Sequence, residues 1–69
     1  MSTHTYTGTV VGMTCQHCVA SVTEEVSDLP GVTGVDVDLA NGTLTVTADQ
    51  PLSDDAVRGA VEEAGYQLS

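Results

Sequence analysis

The feature that most constrains the fold of this chain is a pair of strictly alternating runs near its middle. Val35, Val37 and Leu39 alternate with Asp36 and Asp38, and Leu44, Val46 and Ala48 alternate with Thr43, Thr45 and Thr47. A period of two puts one set of side chains on each face of a strand, so each run predicts a strand with one face buried. Asn41-Gly42 lies between them. Both residue types tolerate positive φ, so the dipeptide predicts a two-residue hairpin and makes the two strands antiparallel neighbours.

On both sides of this hairpin the period changes to that of a helix. Upstream, Val19, Val22, Val26 and Leu29 recur at intervals of three and four, opposite Glu24, Glu25 and Asp28. This spacing predicts a helix over 16–28, stopped by Pro30-Gly31. Downstream, Ser53 is placed to cap a helix whose first turn carries Asp54 and Asp55, where the dipole favours negative charge. Val57, Ala60, Val61 and Ala64 form its apolar stripe, and Gly65 ends it. The Thr-, Val- and Tyr-rich stretch 5–11 reads as a first strand, and Tyr66-Gln67-Leu68 as a short last one. Gly8 falls where an inward side chain is expected, so either the strand bends there or another group packs over it. His4 is expected to lie ahead of this strand, at an exposed end without a metal role.

The order strand, helix, strand, strand, helix, strand predicts an α+β, ferredoxin-like βαββαβ sandwich, with two helices on one face of a four-stranded antiparallel sheet. No linker or low-complexity tract interrupts the 69 residues, which are expected to form one domain over 1–69. So small a chain has a modest core. With neither Phe nor Trp present, that core must be built mainly of valine.

Ten acidic residues face one basic residue, Arg58, for a formal net charge of −9. Such a chain repels phosphates and has no basic patch to release counterions, which excludes nucleic-acid binding and disfavours anionic membranes. The charge reads as a solvated acidic surface. A partner with a basic face and a salty cytoplasm, where screening tolerates self-repulsion, are the sharper alternatives. The start Met1-Ser2-Thr3-His4 has neither a basic stretch nor an apolar run. A cytoplasmic location is therefore expected, as is the reduced state of the cysteines.

Both cysteines, Cys15 and Cys18, lie in the segment Gly12-Met13-Thr14-Cys15-Gln16-His17-Cys18, between the first strand and the first helix. A disulfide between them would close too short a loop to stabilise the fold appreciably. Their spacing instead lets one sulfur sit on the loop and the other in the first helical turn, both facing one point. There the helix start favours thiolates. Cu(I) is soft and accepts two thiolates in near-linear geometry, so this pair suffices for it. Hg(II) shares that preference. Zn(II) usually completes four ligands, and only His17 offers a doubtful third donor. At the second position between the cysteines His17 is expected to face solvent, with ligation and tuning of the thiols as its alternatives. Thr14 is expected to bond the loop backbone or cap the helix, and Met13, an apolar residue between strand and helix, to pack inward.

Gly-Met-Thr-Cys-x-x-Cys followed by a helix resembles the metal loop of heavy-metal-associated domains. The resemblance extends over about Thr5 to Leu68. It independently implies the same fold, assigns Met13 to packing beneath the loop, and makes Tyr66, after Gly65, a bacterial-type residue close to the metal, there to shield the thiolates or donate a weak hydrogen bond to them, with a ring that simply closes the core as the alternative. It also implies a non-enzymatic function: a soluble copper chaperone holding Cu(I) through Cys15 and Cys18 and passing it to a similar domain of a copper-transporting P-type ATPase. Such a chaperone would be monomeric without metal, and a copper-bridged dimer is plausible. An excised metal-binding domain of the ATPase is one alternative. A dithiol redox protein, cycling between dithiol and disulfide, is the other.

Overall fold

The computed structural model describes residues 3–69. Its elements are β1 (His4–Val11), α1 (Gln16–Ser27), β2 (Val32–Asp38), β3 (Thr43–Ala48), α2 (Asp54–Glu63) and β4 (Gln67–Leu68). The strands form one antiparallel sheet in the order β2-β3-β1-β4. This is the ferredoxin-like βαββαβ arrangement that the alternating and helical patterns predict.

Alternation fixes which face is buried. Val10, Leu44, Val46, Ala48 and Leu68 point inward from the sheet. They meet Val22 and Val26 of α1 and Val57, Ala60 and Val61 of α2 to form a core of small and branched aliphatic side chains. On the central strands, the other face presents three cross-strand threonine pairs: Thr5 with Thr47, Thr7 with Thr45, and Thr9 with Thr43. Gly8 is resolved by packing. A Cβ there would lie 3.0 Å from Leu68 Cδ1 and 3.1 Å from the Tyr6 ring, so these two side chains occupy the space a larger residue would claim.

Two local expectations change. His4 belongs to β1, half-buried and opposite Ala48, because the extended backbone finds a ladder partner one residue earlier than the Thr/Val pattern begins. The β2–β3 connection has four residues instead of two, since Asp38 pairs with Thr43. The Asp38 carboxylate accepts hydrogen bonds from the Ala40 and Asn41 backbone N–H groups, at 3.0 and 3.4 Å, and from Asn41 Nδ2 at 2.9 Å. That side-chain cap builds a wider loop in which Gly42 alone takes positive φ, +70°.

Antiparallel pairing carries the end of β1, the β2–β3 loop and the start of β4 to one end of the sheet. Val10 N–H donates to the Gly42 carbonyl at 2.7 Å, bracing β1 two residues before Gly12. The segment holding the cysteines therefore leaves a fixed strand and enters a fixed helix.

Candidate metal centre

Gly12 turns the chain out of β1 with φ of +101°, a conformation that favours glycine. Cys15 then takes the N-cap position of α1 in an extended conformation, and its carbonyl accepts from the N–H groups of Cys18 and Val19 at 3.0 and 3.3 Å. Because the capping position is occupied by cysteine, no side-chain oxygen satisfies the first helical turn, and no acidic residue lies in it. The positive end of α1 is left to the sulfurs.

The two Sγ atoms lie 3.5 Å apart. Cys15 is exposed on the loop, whereas Cys18 is buried on the inner face of the helix. Thr14 does not cap the helix. Its hydroxyl lies 3.9 Å from Cys18 Sγ, and its backbone N–H is close enough to favour negative charge on the same sulfur. The Thr14 backbone is the largest cause, and the Tyr66 hydroxyl the next, of a Cys18 pKa lowered from 9.0 to about 6, which outweighs the opposing effect of burial. In return the Tyr66 phenol is pushed up, chiefly by its interaction with Cys18. The thiolate form of Cys18 is thus favoured, the form that binds soft metals and attacks disulfides.

Tyr66 reaches the sulfur because of how α2 ends. Gly65 takes φ of +96°, its N–H bonds the Glu62 carbonyl at 2.9 Å, and Tyr66 N–H bonds the Val61 carbonyl at 3.1 Å. These two bonds form a Schellman motif, which reverses the chain and sets the ring against the loop that carries the cysteines. A Cβ on Gly12 would come within 3.4 Å of Tyr66 Cδ1, so the two turns pack against each other. Met13 is half-buried against the core, as its apolar character predicts. His17 is exposed in the first turn. Among the described residues, no set of three His, Cys, Asp or Glu side chains converges on a common metal position. The contacts of Thr14 and Tyr66 with Cys18 carry no signal in the spacing of the motif. The Thr14 contact becomes visible only when the turn is built, whereas the family resemblance already implies that Tyr66 lies nearby.

A site of two soft donors at a helix start, on this fold, defines a small metal-handling domain. Residues 7–67 match the family model described as the heavy-metal-associated domain, and the chain belongs to that family. Over 59 residues it is 42% identical to the COP-associated protein of Helicobacter felis, an alignment covering 86% of this chain and 89% of that protein. It is 39% identical over 61 residues to the human protein named copper-transporting ATPase 2, covering 87% of this chain but only 4% of the ATPase. A solved structure titled CopZ metallochaperone superposes with a TM-score of 0.88 at 31% identity, covering 96% of this chain and all of that one.

Proposed function

We propose that this chain is a copper chaperone. It binds one Cu(I) as cargo between Cys15 and Cys18 and hands it to the metal-binding domain of a copper-transporting P-type ATPase. The observation that carries this reading is the isolated sulfur pair, 3.5 Å apart, with Cys18 favoured as thiolate. Two thiolates satisfy a soft monovalent ion, whereas Zn(II) would seek further ligands that the described residues do not gather. The small chaperone-like relatives and the similarity to one segment of an ATPase support the same assignment.

Exchange follows from the difference between the two sulfurs. Cys18 is held within the fold, while Cys15 sits on the exposed loop and swings outward as the sulfurs spread for near-linear ligation. A partner thiolate adds to the exposed side of the ion as a third ligand. The Cys15–copper bond then breaks, a second partner thiolate adds, and Cys18 leaves last, so the ion is never free. Tyr66 shields the inner sulfur during this sequence. Val11, the one large apolar side chain left exposed among the described residues, immediately precedes Gly12 and offers a contact for the docked partner.

The functional unit is the single domain of residues 1–69, acting without catalysis, in the cytoplasm, and as a monomer before copper arrives. No helix among the described residues is long and apolar enough to cross a membrane. The test is transfer: the Cu(I)-loaded chain is mixed with a metal-free amino-terminal domain of a copper-transporting ATPase, and copper is quantified after separation. The expected result is equilibration within mixing time, unchanged by a chelator too weak to strip either protein. Copper that reaches the domain only through free solution, and is intercepted by such a chelator, would contradict the assignment.

A further inference from the structure

We infer that the Asn41-Gly42 pair is a self-modifying site, a spontaneous deamidation centre held in check by the Asp38 carboxylate. Glycine at the second position is imposed by the fold. Gly42 has φ of +70°, and a Cβ there would lie 3.0 Å from the Val10 carbonyl oxygen, so the residue after Asn41 has no side chain to hinder attack by its nitrogen. Asn41 is exposed and is the only asparagine in the chain. In the reaction the Gly42 backbone nitrogen loses its proton to solvent and attacks Asn41 Cγ. A carbon–nitrogen bond forms, the Cγ–Nδ2 bond breaks, and ammonia leaves with a proton from water. The resulting succinimide is opened by water at either carbonyl, giving aspartate or isoaspartate at position 41.

The loop opposes ring closure. Asp38 Oδ2 holds Asn41 Nδ2 at 2.9 Å and Oδ1 receives the Asn41 N–H at 3.4 Å, so the amide must break a charge-assisted bond before Cγ can swing to the nitrogen. On the other side, the Gly42 carbonyl is fixed by Val10 N–H at 2.7 Å, which restrains the backbone rotation needed for ring closure. The carboxylate also disfavours a developing negative charge on the neighbouring peptide nitrogen. Reaction therefore requires local opening of the loop. Its product places a second carboxylate beside Asp38. As isoaspartate it also adds a methylene to the backbone next to the bond that braces β1 ahead of the metal loop.

The test follows intact mass and the site of the new acid by peptide mapping, at neutral pH, for the folded wild type, the wild type in urea, Asp38→Ala and Asn41→Gln. Circular dichroism reports whether each variant is folded. Removing the charge-assisted bond is expected to speed product formation about tenfold in Asp38→Ala. The unfolded wild type should react faster than the folded one, and Asn41→Gln should give no product at position 41. Should Asp38→Ala not fold, Asp38→Ser retains a neutral loop cap and is expected to fall between the folded wild type and the unfolded chain. Equal rates for folded and unfolded wild type, a folded Asp38 variant no faster than wild type, or no product at Asn41 even in urea would each overturn the inference.

Discussion

Cys15 and Cys18 are three residues apart yet differ in what surrounds them. One is an exposed N-cap, and the other is a buried sulfur facing Thr14 and Tyr66. Under the proposed function, that asymmetry makes Cys18 the anchor and Cys15 the exchanging ligand. It also gives the metal-free protein a pH signature. An acid with a folded pKa below its unfolded one binds fewer protons when folded, so stability rises with pH between the two values. For Cys18 the window runs from about 6 to 9.0. Its contribution is complete above 9.0 and is lost as pH falls through about 6. Thermal unfolding of the reduced wild type should therefore show a Tm that rises across this range relative to Cys18→Ser, whose hydroxyl does not titrate there. Parallel Tm profiles for the two proteins would show that the Cys18 thiolate receives no such support. The pair itself is legible in the sequence, because cysteine spacing and a following helical period suffice to set two sulfurs together. The partners of Cys18 are not, since Thr14 faces the sulfur only because Cys15 has taken the cap position.

At the scale of elements, the short strand β4 and the turn before it matter more than their length suggests. Gly65 has no atom within 4 Å of a built Cβ, so substitution there meets backbone strain and nothing else. Gly65→Ala should cost about 1 kcal/mol, the penalty of the left-handed conformation for a residue with a Cβ. In a domain of this size that lowers Tm by roughly 4–8 °C. The same variant should loosen the placement of Tyr66 over Cys18, read as a change in the tyrosine near-ultraviolet circular dichroism. An unchanged Tm would mean that α2 does not need this Schellman ending. Both helices and the middle two strands are legible from periodicity, with α1 ending at Ser27, one residue short of the expected boundary. The width of the β2–β3 loop is not. Asn-Gly signals a tight turn, but Asp38 lies three residues before Asn41 and its carboxylate collects the loop donors into a longer one. A side-chain cap of this kind competes with the turn preference of the backbone, and the dipeptide alone does not reveal it.

For the whole molecule, charge is the distinguishing property. A net charge of −9 is carried by a body with a radius of gyration of 10.9 Å. The single base, Arg58, is already engaged with Asp54 at 3.1 Å and with the Leu68 carbonyl at 2.8 Å. At 0.1 M salt the screening length, about 10 Å, is comparable to these dimensions, whereas at 1 M it falls to about 3 Å. Mutual repulsion of the carboxylates is therefore relieved as salt rises, and Tm should increase by several degrees between about 0.1 M and about 1 M potassium chloride. A Tm that stayed flat or fell would show that the acidic surface exacts no cost from the fold. Under the proposed function the same charge sets the polarity of docking, because a partner would be attracted through basic groups of its own. The order of the elements is legible in the sequence, the helices and the middle strands from their periodicity and the first and last strands from composition and position.

The most direct measurement is a Cu(I) titration of the reduced protein against a chelator of known affinity, with Cys15→Ser and Cys18→Ser run alongside the wild type. The two-thiolate account expects one Cu(I) held tightly per wild-type chain and tight binding lost in both variants, each still folded by circular dichroism. Wild-type affinity in either variant would contradict it, and would mean that the metal is held by groups other than this pair.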